Sequence, residues 1–276
     1  MHAKPAPQAG SGLETVTTII VATSKDAPSA ELTSADLEVK VDGKAATVHD
    51  LRKMGRGPLE YCILFDTSGS GRNQFHLQQS EAQAFLKGSL KAGTDHGRLY
   101  LFREESSETD QTADPGDFAP LIAGAEPRSG TALYDAIATC ARRVIGDPPS
   151  PNLRIMLVFS DGDDNASHIP ENVAIEWALK ASIRIYSFDP SRDKSKRGRA
   201  ALQDLARSTG GQAYSVRSEA EMTTALSRLK DGLENQFAVS YSQPTSGRNG
   251  LRDFSMKCRK KGVSISAPTK SYRPGN

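Results

Sequence analysis

The sequence is poor in cysteine, in aromatic residues and in long apolar runs. Its 276 residues contain three cysteines, one tryptophan and 6% aromatic residues in all. Cys62, Cys140 and Cys258 are far apart and form no CxxC pair, which excludes a cysteine-built metal ribbon and a dense disulfide framework. Three buried thiols is the simplest reading, and one pair plus a free thiol is the alternative. Uninterrupted apolar stretches such as Ile155–Phe159 are short, whereas a membrane-spanning helix needs about 20 residues. No transmembrane segment is expected. Met1–Gly12 is rich in Pro, Ala and Gly and lacks the apolar core of a signal peptide. There is no excess of one charge either. Lysine plus arginine number 35 and aspartate plus glutamate 33, a net +2, too even for a protein whose main partner is nucleic acid or an acidic membrane.

What is present is enough for a core. A hydrophobic fraction of 37% with 25% charged residues marks a folded chain, and the length suits one or two domains. Periodicity divides it into three zones. Thr15–Thr23 is β-branched and apolar, and Leu37, Val39 and Val41 alternate with polar neighbours, a strand signal. Asp42-Gly43 is a hairpin dipeptide, with Ala45–Leu51 as the return strand. Between Pro58 and Leu233 strands and helices alternate. Tyr61–Phe65 and Ile155–Phe159 read as strands covered on both faces, and Leu133, Ile137, Cys140, Ala141 and Val144 form a helical stripe. From Gln236 onward the strand pattern returns in about three segments. This predicts an α/β unit with a Rossmann-like, doubly wound and mostly parallel sheet. It is inserted in a small β-sandwich made by the two arms of the chain. The expected division is a flexible N-terminus at 1–12, a discontinuous β-sandwich at 13–57 and 236–276, and the α/β domain at 58–235.

Three short segments carry chemistry. Asp66-Thr67-Ser68-Gly69-Ser70 follows the first buried strand, Ser129-Gly130-Thr131 precedes a helix, and Ser160-Asp161-Gly162 follows the second buried strand. In open α/β sheets ligands bind at the carboxyl ends of strands, so the three can converge on one edge. Asp66, Ser68, Ser70, Thr131 and Asp161 offer only oxygen. That argues against zinc and copper and for a hard cation such as magnesium, with manganese or calcium as alternatives. Two carboxylates and three hydroxyls leave the ion electrophilic, and a carboxylate from another molecule is a natural occupant of an open position.

The Asp66-x-Ser68-x-Ser70 segment, the later Gly130-Thr131 and the Ser160-Asp161-Gly162 segment together resemble the metal-ion-dependent adhesion site of von Willebrand factor type A domains. The phrases Asp66–Ser70, Gly130–Ile137 and Asp161–Asn165, with β-rich arms on both sides, are similar to the von Willebrand factor A-related proteins of Acidobacteria. The resemblance implies that Ser68, Ser70 and Thr131 are hydroxyl ligands and that Asp66 and Asp161 act directly or through water. It implies a divalent-cation-dependent protein-binding module for adhesion or assembly, gripping an acidic residue of a protein partner. It also implies export, to the periplasm or outside the cell. By analogy, the last helix of the α/β unit, Glu219–Leu233, would move when the site is engaged.

Two other functions compete with this one. A metal-dependent hydrolase or phosphatase at the same site lacks a motif-placed histidine and a Walker spacing around Gly69-Ser70-Gly71-Arg72, so no enzyme is expected. A structural assembly protein would dock through its β arms. Around the motifs, Asp163, Asp164 and Asn165 read as a solvated acidic loop in which Asn165 or Ser167 caps the next helix. Arg128 and His76 read as surface residues. Arg192, Lys194, Lys196, Arg197 and Arg199 read as a solvated basic loop, and Trp177 as core packing.

Overall fold

The first arm alternates apolar and polar residues and forms β1 (Leu13–Ser24), β2 (Leu37–Val41), β3 (Lys44–Ala46) and β4 (Val48–Lys53). This is a computed structural model, and it describes residues 12–24, 31–69, 75–128, 130–148, 150, 152–191, 196–245 and 250–273. The middle of the chain gives β5 (Leu59–Asp66), α1 (Phe75–Ser89), β6 (His96–Phe102), β7 (Ser106–Glu108), α2 (Ala119–Ala123), α3 (Leu133–Gly146) and β8 (Leu153–Phe159). It continues through α4 (Glu171–Lys180), β9 (Ile183–Asp189), α5 (Lys196–Thr209), β10 (Ala213–Ser215) and α6 (Glu219–Glu234). The second arm supplies β11 (Gln236–Pro244), β12 (Gly250–Cys258), β13 (Val263–Ser266) and β14 (Lys270–Arg273).

The central sheet has the order β10-β9-β8-β5-β6-β7. All its neighbours are parallel except β6 and β7. Every residue of β5 is buried, as a strand covered on both faces requires. Tyr61, Ile63 and Phe65 pack on one face with α1 and α6, through Phe85 and Leu229 among others. Cys62 and Leu64 pack on the other with α3 and α4, through Ile137 and Ala178. The chain leaves β5 toward β6 on one side, while β8 lies on the other and leads on to β9. The carboxyl ends of β5 and β8 therefore flank the switch point, where an open sheet leaves a crevice.

Strands of both arms share two further sheets, β13-β1-β11-β4 and β14-β12-β2-β3. β1 runs antiparallel to β11 from Leu13↔Pro244 to Val21↔Gln236. β2 pairs with β12 from Val41↔Phe254 to Leu37↔Cys258. Ile20, Phe237 and Val239 of one sheet bury against Leu37 of the other, and Tyr241 packs with Val39, Val41 and Phe254. The α/β Rossmann-like sheet with antiparallel β layers built from both ends matches the fold class expected from the sequence.

Several expectations change. Asp42 and Gly43 both adopt positive φ, 48° and 76°, as a two-residue hairpin turn demands. The return strand then splits: β3 stays with β2, whereas β4 crosses to pair with β11. Among the described residues the second arm contains four strands, because Lys270–Arg273 also pairs with β12. The three-thiol reading is corrected: Cys62 on β5 and Cys140 on α3 form a disulfide, and Cys258 is free and only partly buried. Both partners sit on the same sheet–helix interface, a proximity that sequence spacing does not reveal.

Candidate metal centre at the carboxyl edge of the central sheet

Asp66 is the last residue of β5 and is 4% exposed. Its Oδ1 accepts from the Ser68 backbone N–H at 2.8 Å and its Oδ2 from the Ser160 hydroxyl at 2.5 Å. The second bond joins the first and third motif segments directly. Burial pushes the Asp66 carboxyl up to about 6 with help from nearby Asp161, while the bonds from Ser160 and Ser68 oppose that rise. Gln78 of α1 reinforces the junction. Its Nε2 donates to the carbonyls of Asp66 at 3.0 Å and Phe159 at 2.9 Å, tying the ends of β5 and β8 together.

Thr131 is brought to the same edge from two sides. Its N–H donates to Asn165 Oδ1 at 3.0 Å, and its carbonyl accepts from the N–H groups of Asn165 and Ala166 at 3.0 Å each. The preceding strand of loop is anchored by Arg128 N–H to the Thr67 carbonyl at 2.8 Å, and Ala132 N–H reaches the Arg103 carbonyl at 2.7 Å. Thr131 is fully buried, yet among the described residues its hydroxyl finds no hydrogen-bond partner. A buried polar group in that state costs about 1–3 kcal/mol. A cation accepting the hydroxyl oxygen's lone pair is one way to recover it.

Asp161 is partly buried, and its Oδ1 accepts from the Asp163 N–H at 3.2 Å. Gly162 beside it has φ +76°, and a Cβ there would stand 2.4 Å from the Gly198 carbonyl oxygen of α5. Only glycine fits that approach. Among the described residues no group of three or more His, Cys, Asp and Glu side chains is arranged to hold a metal. The donor set fits a hard cation through hydroxyls and carboxylates together, not through a carboxylate cage. The structure thus joins Asp66, Ser68, Thr131 and the Asp161 loop through direct bonds or shared partners. Ser70 and Ser129 lie outside the described residues.

The loop after Asp161 departs from expectation. Asp164 Oδ2 accepts from Tyr134 N–H at 3.2 Å, and Ser167 Oγ from Asp135 N–H at 3.1 Å. These side chains cap α3, the preceding helix, whose own N-terminal residue Ala132 offers no side-chain cap. Asn165 serves the Thr131 backbone and not the next helix. Ser160, Gln78 and Asn165 are the site residues that sequence reasoning undervalued, since each acts across the fold. Glu104, at the tip between β6 and β7, was also missed: a Cβ on Gly130 would lie 2.1 Å from its Cγ, so its side chain covers the glycine beside Thr131. Arg128 and His76 are exposed, as expected. Arg192 and Lys194 lie outside the described residues, while Arg199 belongs to α5 and pairs with Asp189 at 3.2 Å. Trp177 is half-buried against the α3–α4 face of the core.

With fold and geometry in hand, comparison with solved structures places the chain in the von Willebrand factor type A fold class. A von Willebrand factor type A protein from Catenulispora acidiphila matches 97% of this chain and 75% of its own, at 12% identity and a TM-score of 0.54. The hypothetical protein BatB from Bacteroides thetaiotaomicron matches 63% of this chain and 97% of its own, at 16% identity and 0.52. Proximal thread matrix protein 1 from the mussel byssus, in a structure with a zinc-occupied MIDAS motif, matches 72% of this chain and half of its own. Its identity is 14% and its TM-score 0.53. No protein-family model matches the sequence, and no curated protein does.

Proposed function

We propose that this protein is a divalent-cation-dependent binding module for adhesion or assembly. Asp66, Ser68, Ser70, Thr131 and Asp161 would hold one ion, magnesium first, with manganese or calcium as alternatives. When bound, the ion supplies an electrophilic position that a carboxylate of a protein partner can fill. The observation that carries the reading is the Thr131 hydroxyl, buried and without a partner among the described residues, at the edge where the Asp66 and Asp161 loops meet. Both Asp66 oxygens already accept protein hydrogen bonds. Asp66 therefore contributes charge and an acceptor for water, while the hydroxyls make the closer approach. The zinc-occupied motif of the mussel byssus protein, on the same fold, supports a divalent metal at such an edge and adds zinc to the candidate ions despite the oxygen-only donors.

The hydrolase reading has less support. The described histidines near this edge are engaged elsewhere: His76 Nδ1 bonds Gln79 and His168 Nδ1 pairs with Asp135. A disulfide fits an oxidising compartment, which supports a location in the periplasm or outside the cell. No described helix is long and apolar enough to cross a membrane. The test is partner capture with and without chelator. Binding to a carboxylate-bearing protein ligand is expected to vanish with chelator, return with magnesium, and be absent in Asp66→Ala. Capture that survives both treatments contradicts the reading and favours docking through the β arms.

A further inference from the structure

At the opposite end of the central sheet, a cleft of about 500 Å³ opens between the start of β9, the end of α4 and the β layers of the arms. Three cationic side chains line it: Lys180, Arg184 and Lys270. None of the described lining residues is acidic. Tyr272 supplies an apolar wall, backed by the buried rings of Tyr241 and Phe254. Arg184 is the unusual member. It is 4% exposed, and its Nη2 donates to the Ile19 carbonyl of β1. Its Nη1 is buried and finds no hydrogen-bond partner among the described residues. A desolvated guanidinium satisfied only by a neutral carbonyl is costly unless an anion completes it.

The other two cations are less committed. Lys180 is exposed, its Nζ lying 4.8 Å from the Trp177 ring centre and 5.8 Å from that of Tyr272. Lys270 pairs at 2.6 Å with Asp253, whose side chain is 78% exposed and whose charge is screened by water. Three positive charges against one exposed carboxylate favour a dianion over a monoanion. The aromatic wall favours a ligand with a flat apolar body.

We propose that this cleft binds a phosphate monoester carrying an aromatic or similarly flat apolar group. The phosphate meets Arg184 and Lys180, and the body lies against Tyr272. A phosphate monoester carries about −1.5 to −2 charges at pH 7 and three acceptor oxygens, which suits a guanidinium Nη1 and two ammonium groups. The cleft and the proposed metal site lie at opposite ends of the sheet and share no residue.

Calorimetric titration of the full chain with phenyl phosphate, inorganic phosphate and benzoate tests it. Phenyl phosphate is expected to bind saturably at one site, with inorganic phosphate and benzoate each at least fivefold weaker. Lys180→Gln is expected to weaken phenyl phosphate about fivefold and Arg184→Lys at least tenfold. Because Arg184 also holds β1, the Arg184→Lys result counts only beside an unaltered melting temperature, and Lys180→Gln carries the test otherwise. No saturable binding of phenyl phosphate, equal binding of benzoate, or binding indifferent to Lys180→Gln would each overturn the proposal.

Discussion

Thr131 and Glu81 show how burial without a partner is informative in opposite ways. Replacing Thr131 by valine keeps the shape and removes the hydroxyl. Because that hydroxyl has no described protein partner, the metal-free protein is expected to melt at the same temperature or slightly higher. Affinity for a divalent ion is expected to fall at least tenfold by calorimetry. A loss of stability without a loss of ion affinity would make Thr131 a structural residue. Glu81 of α1 is 2% exposed, and neither carboxylate oxygen has a described partner. Burial first, then Asp189 and Glu221, push it up to about 8. The folded chain therefore keeps a proton that the unfolded chain releases near the ordinary value of 4.5. Stability from this group is full below about pH 4.5 and is lost as pH rises through about 8. Glu81→Gln is expected to match the parent in thermal melts at pH 5 and exceed it by a few degrees at pH 9. Parallel curves across that range would contradict the assignment. The meeting of the Asp66, Thr131 and Asp161 segments at one edge was legible, because each follows a buried strand or opens a helix. Glu81 was not, since nothing in a helical sequence reveals that one turn faces two other acids.

At the scale of elements, the third motif loop both bears Asp161 and starts α3. Asp164 and Ser167 satisfy the first amides of α3, and Asn165 fixes the Thr131 backbone. Asp164→Ala is expected to cost about 1 kcal/mol in urea denaturation, the usual worth of a helix cap. It is also expected to weaken ion binding, because the Thr131 segment leads into that helix. A stability change with unaltered ion affinity would separate the cap from the site. The strands of the central sheet were readable because solid apolar runs such as Ile155–Phe159 admit little else. β7 and β14 were not. Ser106–Glu108 is polar and exposed throughout, and Lys270–Arg273 is four residues whose pairing is decided by β12 across the fold. The crossing of β4 between sheets was invisible for the same reason: Val48 and Leu51 suit either layer until β11 arrives.

For the whole molecule, the insertion of an α/β unit between two arms follows from where that unit's ends lie. Leu59 opens β5 and Glu234 closes α6, and each arm leaves from there into shared sheets. Cys62–Cys140 then ties the central strand to α3 across 78 residues of chain. Closing a loop of that length is worth roughly 4 kcal/mol in the chain-entropy account. Reduction is expected to lower the melting temperature by several degrees, and alkylation before reduction is expected to label Cys258 alone. Labelling of all three cysteines in the untreated protein would remove the crosslink.

The proposed function requires that oxygen hold a single hard cation at the switch point of the sheet. Titration of the full chain with manganese, followed by electron paramagnetic resonance of the free ion, counts that ion. One bound ion per chain is expected, displaced by magnesium and absent in Asp66→Ala. No bound manganese, or binding unchanged in Asp66→Ala, would contradict it.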